Sequence, residues 1–144
     1  MSQHVIAENR KARFVYQFSE FFEAGVVLTG LEIKAIRAKR VDLSASYAKV
    51  IGSEAWLINM NLSDGKTPDP TRTRKLLLHA REIGRLIGLL EQKGLTLVPL
   101  KLYFKRGRAK IELGVGRGRK THDKRELIKK RDEQREQLRG ARGK

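Results

Sequence analysis

The C-terminal stretch 117–144 most constrains what this chain can fold into, because it cannot fold by itself. It holds twelve Lys and Arg residues against five acidic residues, and its only sizeable apolar residues are Leu127, Ile128 and Leu138. So little apolar surface cannot offset the backbone entropy of ordering, which is roughly 1 to 2 kcal/mol per residue. We therefore predict a basic tail that is disordered in the free protein and becomes ordered on a polyanionic partner.

The charge of the whole chain points to the same class of partner. Its 144 residues are enough for one domain, and they carry a formal net charge of +16. Such a field attracts phosphate backbones or anionic membrane surfaces. A run of about 18 apolar residues is absent, and residues 1–10 lack the apolar stretch of a signal peptide. We therefore predict a cytoplasmic protein that binds nucleic acid rather than membrane.

Aromatic residues at strand spacing follow a polar N-terminal arm, residues 1–10. Phe14, Tyr16 and Phe18 predict a first strand with one aromatic face, a bulge or short turn is expected around 19–22, and a second strand follows over 24–28. Glu23 lies between two apolar stretches. Its carboxylate has two interpretations. It has a structural role, in which it faces water or pairs with a nearby Arg, or it makes a functional contact.

Thr29 and Glu32 have the spacing of a capping box, in which each side chain bonds the other residue's backbone N–H. The pattern predicts a helix from residue 30 to about 39 with Ile33 and Ile36 buried. The cations Lys34, Arg37 and Lys39 would then form a solvated face or a phosphate-binding face.

A hairpin is predicted over 46–60, with Gly52 and Ser53 at its turn. Trp56, Ile58 and Met60 would share one face, and Trp56 is expected in the core rather than as a platform for base stacking. The Pro-containing segment 61–73 predicts a loop whose exit is basic through Arg72, Arg74 and Lys75.

Three consecutive leucines follow this loop, and Leu77 is expected to point away from its two neighbours. The pattern leaves both a buried and an outward position open for it. Ile83, Leu86, Ile87 and Leu90 then form the stripe of an amphipathic helix that ends at Gly94. The last strand pair covers 95–104 and 109–115, with its second member at an edge of the sheet. Glycines 114, 116 and 118 are expected to loosen the chain into the tail.

Five or six strands with two helices and short turns predict a β-rich α+β fold. Its form would be an antiparallel OB-like β-barrel with two to three flanking helices, because closure removes exposed strand edges. The predicted domains are residues 1–118, the barrel, and residues 119–144, the tail. OB-like barrels often bind RNA or single-stranded DNA, which is an analogy of fold only.

Residue patterns for catalysis are weak. The histidines His4, His79 and His122 are far apart and lack metal-ligand spacing, and the absence of cysteine excludes thiolate sites and disulfides. Alternate glycines without a following Lys-Ser or Lys-Thr do not form a phosphate-binding loop. We therefore predict a protein that is not an enzyme and needs no cofactor or metal.

Six strings in order closely resemble the SsrA-binding protein (SmpB) family, over about residues 8–131. They are NRKAR at 9–13, FEAG at 22–25, LTGLEIK at 28–34, DPTRTRKLLL at 69–78, LKLYF at 100–104 and HDKR at 122–125. The resemblance implies a partner of transfer-messenger RNA (tmRNA) in trans-translation, the rescue of ribosomes stalled on messages without a stop codon. It also implies an OB-related barrel.

In the family, the barrel binds the tRNA-like domain of tmRNA at its D-loop and elbow. The residues matched to that contact are Asn9, Glu23 and Leu77. We add the cations Arg10, Arg37 and Lys75 as expected RNA-binding residues. Leu77 would contact an unstacked base, because protein recognition of RNA favours loops whose bases are splayed out.

The resemblance also implies that the tail becomes helical in the empty mRNA channel of a stalled 70S ribosome, against 16S rRNA. The matched tail positions, with the adjoining Lys129, are Lys120, His122, Asp123, Lys124, Arg125, Ile128 and Lys129. The protein is expected to be a monomer. The alternative from the residues is a general ribosomal or RNA-binding structural protein whose basic tail threads rRNA.

Overall fold

The structure, a computed structural model, describes residues 4–119 and residue 131. Nine strands and three helices occupy this part of the chain. In chain order they are β1 (His4–Glu8), α1 (Ala12–Val15), β2 (Tyr16–Val26), α2 (Gly30–Arg37), β3 (Val41–Asp42), β4 (Tyr47–Ile51), β5 (Glu54–Ile58), β6 (Asn61–Leu62), β7 (Arg74–Leu77), α3 (Ala80–Leu90), β8 (Leu95–Lys105) and β9 (Arg108–Gly118).

Seven strands form one antiparallel sheet in the order β1-β8-β9-β2-β7-β5-β4, and β3 pairs with β6 in a second, two-stranded sheet. The large sheet curls, so that Cα atoms of the edge strand β4 come within 8 Å of β8. Among the described strands, hydrogen bonds do not join β4 to β8. The predicted β-rich α+β class is confirmed, with more strands than the five or six expected.

The N-terminal segment is not a polar arm, and this prediction was wrong. His4–Glu8 forms the edge strand β1 and pairs with β8 from Phe104 to Lys101. Phe14 lies in α1 rather than in a strand. Tyr16 then begins one strand of 11 residues instead of two short ones. The expected irregularity is present as a bulge between Phe18 and Glu20.

Helix α2 begins where its capping box predicts. The Thr29 hydroxyl accepts from the N–H of Glu32 at 3.2 Å, and the Glu32 carboxylate accepts from the N–H of Thr29 at 2.8 Å. The helix ends at Arg37, earlier than expected, and Lys39 adopts a φ of 59°. Ile36 is fully buried as predicted, whereas Ile33 is only half-buried.

The β4-β5 hairpin turns at Gly52 as predicted, with a φ of 62°. Its face assignment was wrong, because Ala55 and Leu57 point into the core while Trp56 is half-buried on the opposite face. Met60 returns to the core after Asn59, whose φ of 65° breaks the strand alternation. Side chains alternate between the two faces of a strand only while the backbone is extended. The left-handed Asn59 therefore shifts the residues that follow it to the opposite faces.

Helix α3 covers the core mainly with Leu86, which is fully buried. Ile83 and Leu90 are half-buried, whereas Ile87 is exposed at the edge of the predicted stripe. The helix ends at Leu90, before the predicted Gly94. In the part of the chain that the structure describes, no helix is long and apolar enough to cross a membrane.

Strand β9 is not an edge, and its glycines do not loosen the chain; both predictions were wrong. The strand runs to Gly118 between β8 and β2, so Arg117 and Gly118, counted above with the tail, are paired in the sheet. Gly114 and Gly116 are buried. A Cβ at either glycine would lie 2.7 Å from the ring of Phe18. The glycines therefore form a flat surface on which this ring packs.

Candidate nucleic-acid interface

An open groove of about 690 Å³ brings together three of the predicted RNA-binding residues, Glu23, Arg37 and Leu77. Residues of β2, β7, α2, the start of α3 and the β8-β9 hairpin line it. The three residues are distant in the sequence. The pairing of β2 with β7 brings the strands of Glu23 and Leu77 side by side, and Arg37 comes from the end of α2.

Leu77 points away from Leu76, as the three-leucine run predicts, and the structure shows that it is presented outward. Leu76 is buried in the core, and the next side chain along β7 must point to the other face, so Leu77 is 54% exposed. Its cross-strand partner is Gly25. A Cβ at Gly25 would lie 3.4 Å from the Cβ of Leu77, so the glycine allows the leucine to lie low over β2.

Glu23 is held in place by two neighbours from β8. The Tyr103 hydroxyl donates a hydrogen bond to one carboxylate oxygen, and Lys105 Nζ lies 3.4 Å from the same oxygen. The hydrogen bond from Tyr103, together with the positive charge of Lys105, lowers the pKa of Glu23. Burial, and then the bond to Glu23, raises the pKa of Tyr103. Glu23 is thus an oriented, charged acceptor, and its cationic partner is a lysine rather than an arginine.

Cations surround this carboxylate. Arg37, the last residue of α2, holds its guanidinium carbon 5.9 Å from the centroid of the Phe104 ring. Arg108 and Lys110 line the groove from the β8-β9 hairpin, and Lys105 contacts Glu23. The sequence predicts a basic hairpin tip but does not place it beside Glu23. Tyr103 was missed as well, although it lies in the LKLYF string.

A buried ion cluster fixes helix α2 against β7. Glu32 is 2% exposed and accepts from Arg72 Nη2 at 2.6 Å and from Arg74 Nε at 2.8 Å. Burial by itself raises the pKa of Glu32, but the hydrogen bonds from Arg72, from the Thr29 N–H and from Arg74 outweigh it and lower the pKa to about 2. Arg74 is fully buried, so it does not belong to a solvent-facing basic exit as predicted.

Asn9 and Arg10 lie outside the groove. Asn9 is 7% exposed, and its Nδ2 donates to the carbonyl of Pro99 at 3.3 Å while its backbone N–H donates to Leu100 at 2.7 Å. These bonds tie the turn after β1 to strand β8. Arg10 is exposed, with its Nε 3.7 Å from Glu8. The side chain of Asn9 therefore has a structural role in the described fold.

Lys75 extends the outer face of β7 beyond Leu77. It pairs across the sheet with Trp56, and its Nζ lies 3.4 Å from a carboxylate oxygen of Glu54. Because Lys75 and Leu77 are two residues apart on one strand, they share a face. The predicted tail residues Lys120, His122, Asp123, Lys124, Arg125, Ile128 and Lys129 lie outside the described residues. Potential metal sites built from three or more His, Asp and Glu side chains are absent from residues 4–119 and 131.

Comparison with known proteins agrees with this geometry. The model of the family described as SmpB protein matches residues 6–143. This chain belongs to the SmpB family. It is 57% identical to the SsrA-binding protein of Chloroflexus aurantiacus, covering 89% of this chain and 84% of that protein. It is 51% identical to the SsrA-binding protein of Gloeothece citriformis, covering 94% of this chain and 91% of that protein.

A solved structure described as "tmRNA-SmpB: a journey to the center of the bacterial ribosome" is also similar. Its matching chain superimposes with a TM-score of 0.68 and is 46% identical, covering 85% of this chain and 93% of that chain. The curled antiparallel sheet with three helices is thus the fold of the SmpB family, which agrees with the OB-like architecture expected from the sequence.

Proposed function

We propose that this SmpB-family protein binds the tRNA-like domain of tmRNA through the groove around Glu23 and Leu77, and acts in trans-translation on the ribosome. The observation that carries the proposal is the combination of groups in this groove. An exposed leucine lies beside an oriented carboxylate, and cations from α2 and the β8-β9 hairpin surround both.

This combination fits an RNA loop rather than a regular duplex. An apolar side chain can contact a base that has left the stack, and a fixed carboxylate can accept from a base N–H. Arg37, Arg108 and Lys110 supply positive charge for the adjoining phosphates. In an A-form duplex the major groove is too deep and narrow for side chains to read, and the stacked bases leave no free face for the leucine.

The family relationship supports the same function. Its relatives carry the name SsrA-binding protein, and the similar solved structure concerns tmRNA and SmpB in the bacterial ribosome. The protein is therefore an RNA-binding factor of trans-translation. We propose further that it acts in the cytoplasm as a monomer, without catalysis, cofactor or metal, and that it contacts 16S rRNA of the stalled 70S ribosome.

Replacing Leu77 by alanine tests the groove. Loss of one good base contact should weaken binding to the tRNA-like domain by about 1 to 3 kcal/mol, or about 5- to 150-fold in Kd. Filter binding at one fixed salt concentration measures the effect. The matched control is Ile51→Ala on β4, because Ile51 is similarly exposed, at 56%, but lies outside the groove. If the two variants bind equally well, the groove is not the RNA site.

We propose that the tail, residues 120–144, enters the mRNA channel and that the body selects the RNA. The body includes Arg119, whose N–H donates to the carbonyl of Val15 at 2.8 Å, so a deletion should begin at residue 120. Truncation after Arg119 is expected to change tmRNA affinity by less than about 5-fold while abolishing tagging in a reconstituted stalled-ribosome assay. Tagging by the truncated protein would refute the role of the tail.

A competition experiment separates this function from that of a general ribosomal RNA-binding protein. The basic body would attract any RNA at low salt. Excess bulk tRNA should therefore fail to displace tmRNA at physiological salt. Equal competition by bulk tRNA and tmRNA would favour the general structural role instead.

A further inference from the structure

A second solvent-facing surface adjoins the groove around Glu23 and Leu77, which we call the RNA groove. This surface is the face of strands β7, β5 and β4 that points away from the core, and we call it the outer face. The opposite face of the same strands is buried and includes Ala48, Ala55, Leu57, Arg74 and Leu76. Because side chains alternate along a strand, the residues between these buried ones belong to the outer face.

Trp56 lies on the outer face between two lysines. It is on β5, and it pairs with Lys49 of β4 on one side and with Lys75 of β7 on the other. Directly opposed residues of antiparallel strands have Cβ atoms about 4.5 to 5.5 Å apart, so the three side chains form one row across the sheet. We call these three residues the lysine–tryptophan row. They are far apart in the sequence, and only the strand register brings them together.

The lysine–tryptophan row combines an aromatic ring with two positive charges that reach solvent. Trp56 is half-buried, Lys49 is exposed, and the side chain of Lys75 is 42% exposed. Lysine stems pack along apolar surface while their ammonium groups stay in water. Surfaces that bind unpaired nucleotides have this composition, because a ring stacks on a base and the cations neutralise the adjoining phosphates.

The lysine–tryptophan row is continuous with the RNA groove. Lys75 and Leu77 are two residues apart on β7, so they share the outer face. Since Lys75 is opposite Trp56, Leu77 is a diagonal neighbour of Trp56, and such neighbours are about 7 to 8 Å apart. Adjoining nucleotides of an unpaired strand can bridge this distance.

The charges on the outer face favour one direction for RNA that leaves Leu77. Glu54 of β5 pairs with Ile51 of β4, and its carboxylate, which is 48% exposed, repels phosphate on that side. Its oxygen lies 3.4 Å from Lys75 Nζ. An exposed pair of this kind contributes little free energy, so Lys75 is available to a phosphate. The favoured direction is therefore over Trp56 toward Lys49, and away from Ile51.

We propose that an unpaired stretch of the RNA bound in the RNA groove continues over the lysine–tryptophan row. One base stacks on Trp56, and the adjoining phosphates lie at Lys49 and Lys75. This inference rests on the proposed function, because it concerns the same RNA, and it adds Trp56 and Lys49 to the interface. A tryptophan that the sequence places in the core is thus a contact for the RNA.

The fluorescence of Trp56 tests the contact directly, because Trp56 is the single tryptophan of the chain. When the tRNA-like domain saturates the full-length protein, a stacked base should lower the emission roughly twofold or more and should reduce quenching by acrylamide by a similar factor. Filter binding of the same samples measures the bound fraction. If the RNA is bound while emission and acrylamide quenching stay unchanged, the extension is wrong and the RNA groove stands. If the RNA does not bind, the proposed function fails and the extension fails with it.

A dilution series without RNA identifies a different occupant of the outer face. The emission of Trp56 per molecule should not depend on the protein concentration. An emission that changes with concentration, and changes no further when the RNA is added, would show that a second copy of the chain covers this face. That result would overturn the inference.

Two substitutions of Trp56 separate base stacking from packing on the sheet. Trp56→Phe keeps an aromatic face, so its Kd for the tRNA-like domain should stay within about 3-fold of the parent value. Trp56→Leu keeps an apolar side chain without a ring, so its Kd should rise about 5- to 150-fold. Thermal unfolding checks that both variants are folded. Equal affinities of the two variants would show that Trp56 only covers the sheet.

Two lysine substitutions that remove the same charge test the phosphate contact. Lys93 is the control, because it is exposed in the turn between α3 and β8 and does not belong to the outer face. Lys49→Gln should make the plot of log affinity against log salt concentration shallower by about 0.7 to 0.9, the contribution of one phosphate. Lys93→Gln should leave the slope unchanged. Equal slopes for the two variants would refute the contact of Lys49 with the RNA.

Discussion

At the scale of single residues, Glu23 and Glu32 both pair with basic side chains, but Glu23 faces the RNA groove and Glu32 stabilises the fold. Glu23 is exposed and directed into the RNA groove, where Tyr103 orients it. Glu32 is buried and joins α2 to the segment leading into β7 through Arg72 and Arg74. The difference lies in their burial, because a carboxylate can contact a ligand only when solvent can reach it.

Breaking the buried ion cluster should destabilise the fold. Glu32→Gln leaves the fully buried Arg74 without a counter-charge, and removing one partner of a buried pair costs about 3 to 5 kcal/mol. The free energy of unfolding from urea titration measures this loss. Glu20→Gln is the control, because Glu20 pairs with the exposed Arg85 and should change stability by less than about 1 kcal/mol. Equal losses in the two variants would contradict the role of the cluster.

The same variant should also change the acid stability. The pKa of Glu32 falls from 4.5 in its ordinary state to about 2 in the folded protein. A lowered pKa stabilises the fold fully above pH 4.5, and this contribution, roughly 3 kcal/mol, is lost as the pH falls toward 2. Between these values the stability of Glu32→Gln should therefore fall less steeply than that of the parent protein. Parallel pH profiles would show that another group controls acid unfolding.

At the scale of elements, strand β9 packs on both of its faces, and its sequence indicates only one of the two packings. Its inner residues Ile111, Leu113 and Val115 fill the core, and the alternation of these residues is visible in the sequence. Its outer glycines accept the ring of Phe18 from β2. Glycine usually weakens a strand, so its repeated use here is explained by the close approach of a neighbouring side chain.

Substitutions in this glycine series should have different effects. A Cβ at Gly116 would lie 2.7 Å from the backbone carbonyl oxygen of Gln17, and the backbone cannot move aside without disturbing the β2-β9 ladder. Gly116→Ala should therefore destabilise the fold by about 1 to 3 kcal/mol. At Gly118, an added Cβ meets no heavy atom of residues 4–119 and 131 within 4 Å, so Gly118→Ala is the control. Thermal unfolding that ranks the two variants equally would contradict this packing.

At the scale of the whole molecule, most of the positive charge lies on the body rather than on the tail. Residues 120–144 contain ten basic and five acidic residues, a net +5 of the total +16, which leaves +11 on residues 1–119. The body also contains the RNA groove. The electrostatic part of RNA binding is therefore expected to come chiefly from the body.

The salt dependence of binding tests this division. Each phosphate neutralised contributes a slope of about −0.7 to −0.9 to the plot of log affinity against log salt concentration. Truncation after Arg119 should change the slope for the isolated tRNA-like domain by less than the contribution of about one phosphate contact. Titrations from low to physiological salt measure it. If the slope becomes shallower by the contribution of several phosphate contacts, the tail binds this RNA.

The sequence by itself determined the features that depend on neighbouring residues. These include the start of α2 at its capping box, the hairpin turn at Gly52, the direction of Leu77 opposite to Leu76 and the motifs that indicate the SmpB family. Each rests on an interaction within a few residues, or on the alternation of one strand. Such interactions form in the same way whatever the rest of the chain does.

Only the tertiary structure decided which distant segments meet. It made His4–Glu8 a strand by pairing it with β8, placed β9 inside the sheet, and buried Arg74 against Glu32. It also brought Glu23 beside Tyr103 and set Phe18 on the glycines of β9. Local patterns cannot contain this information, because the free energy of each contact depends on a partner strand selected by the packing of the whole core.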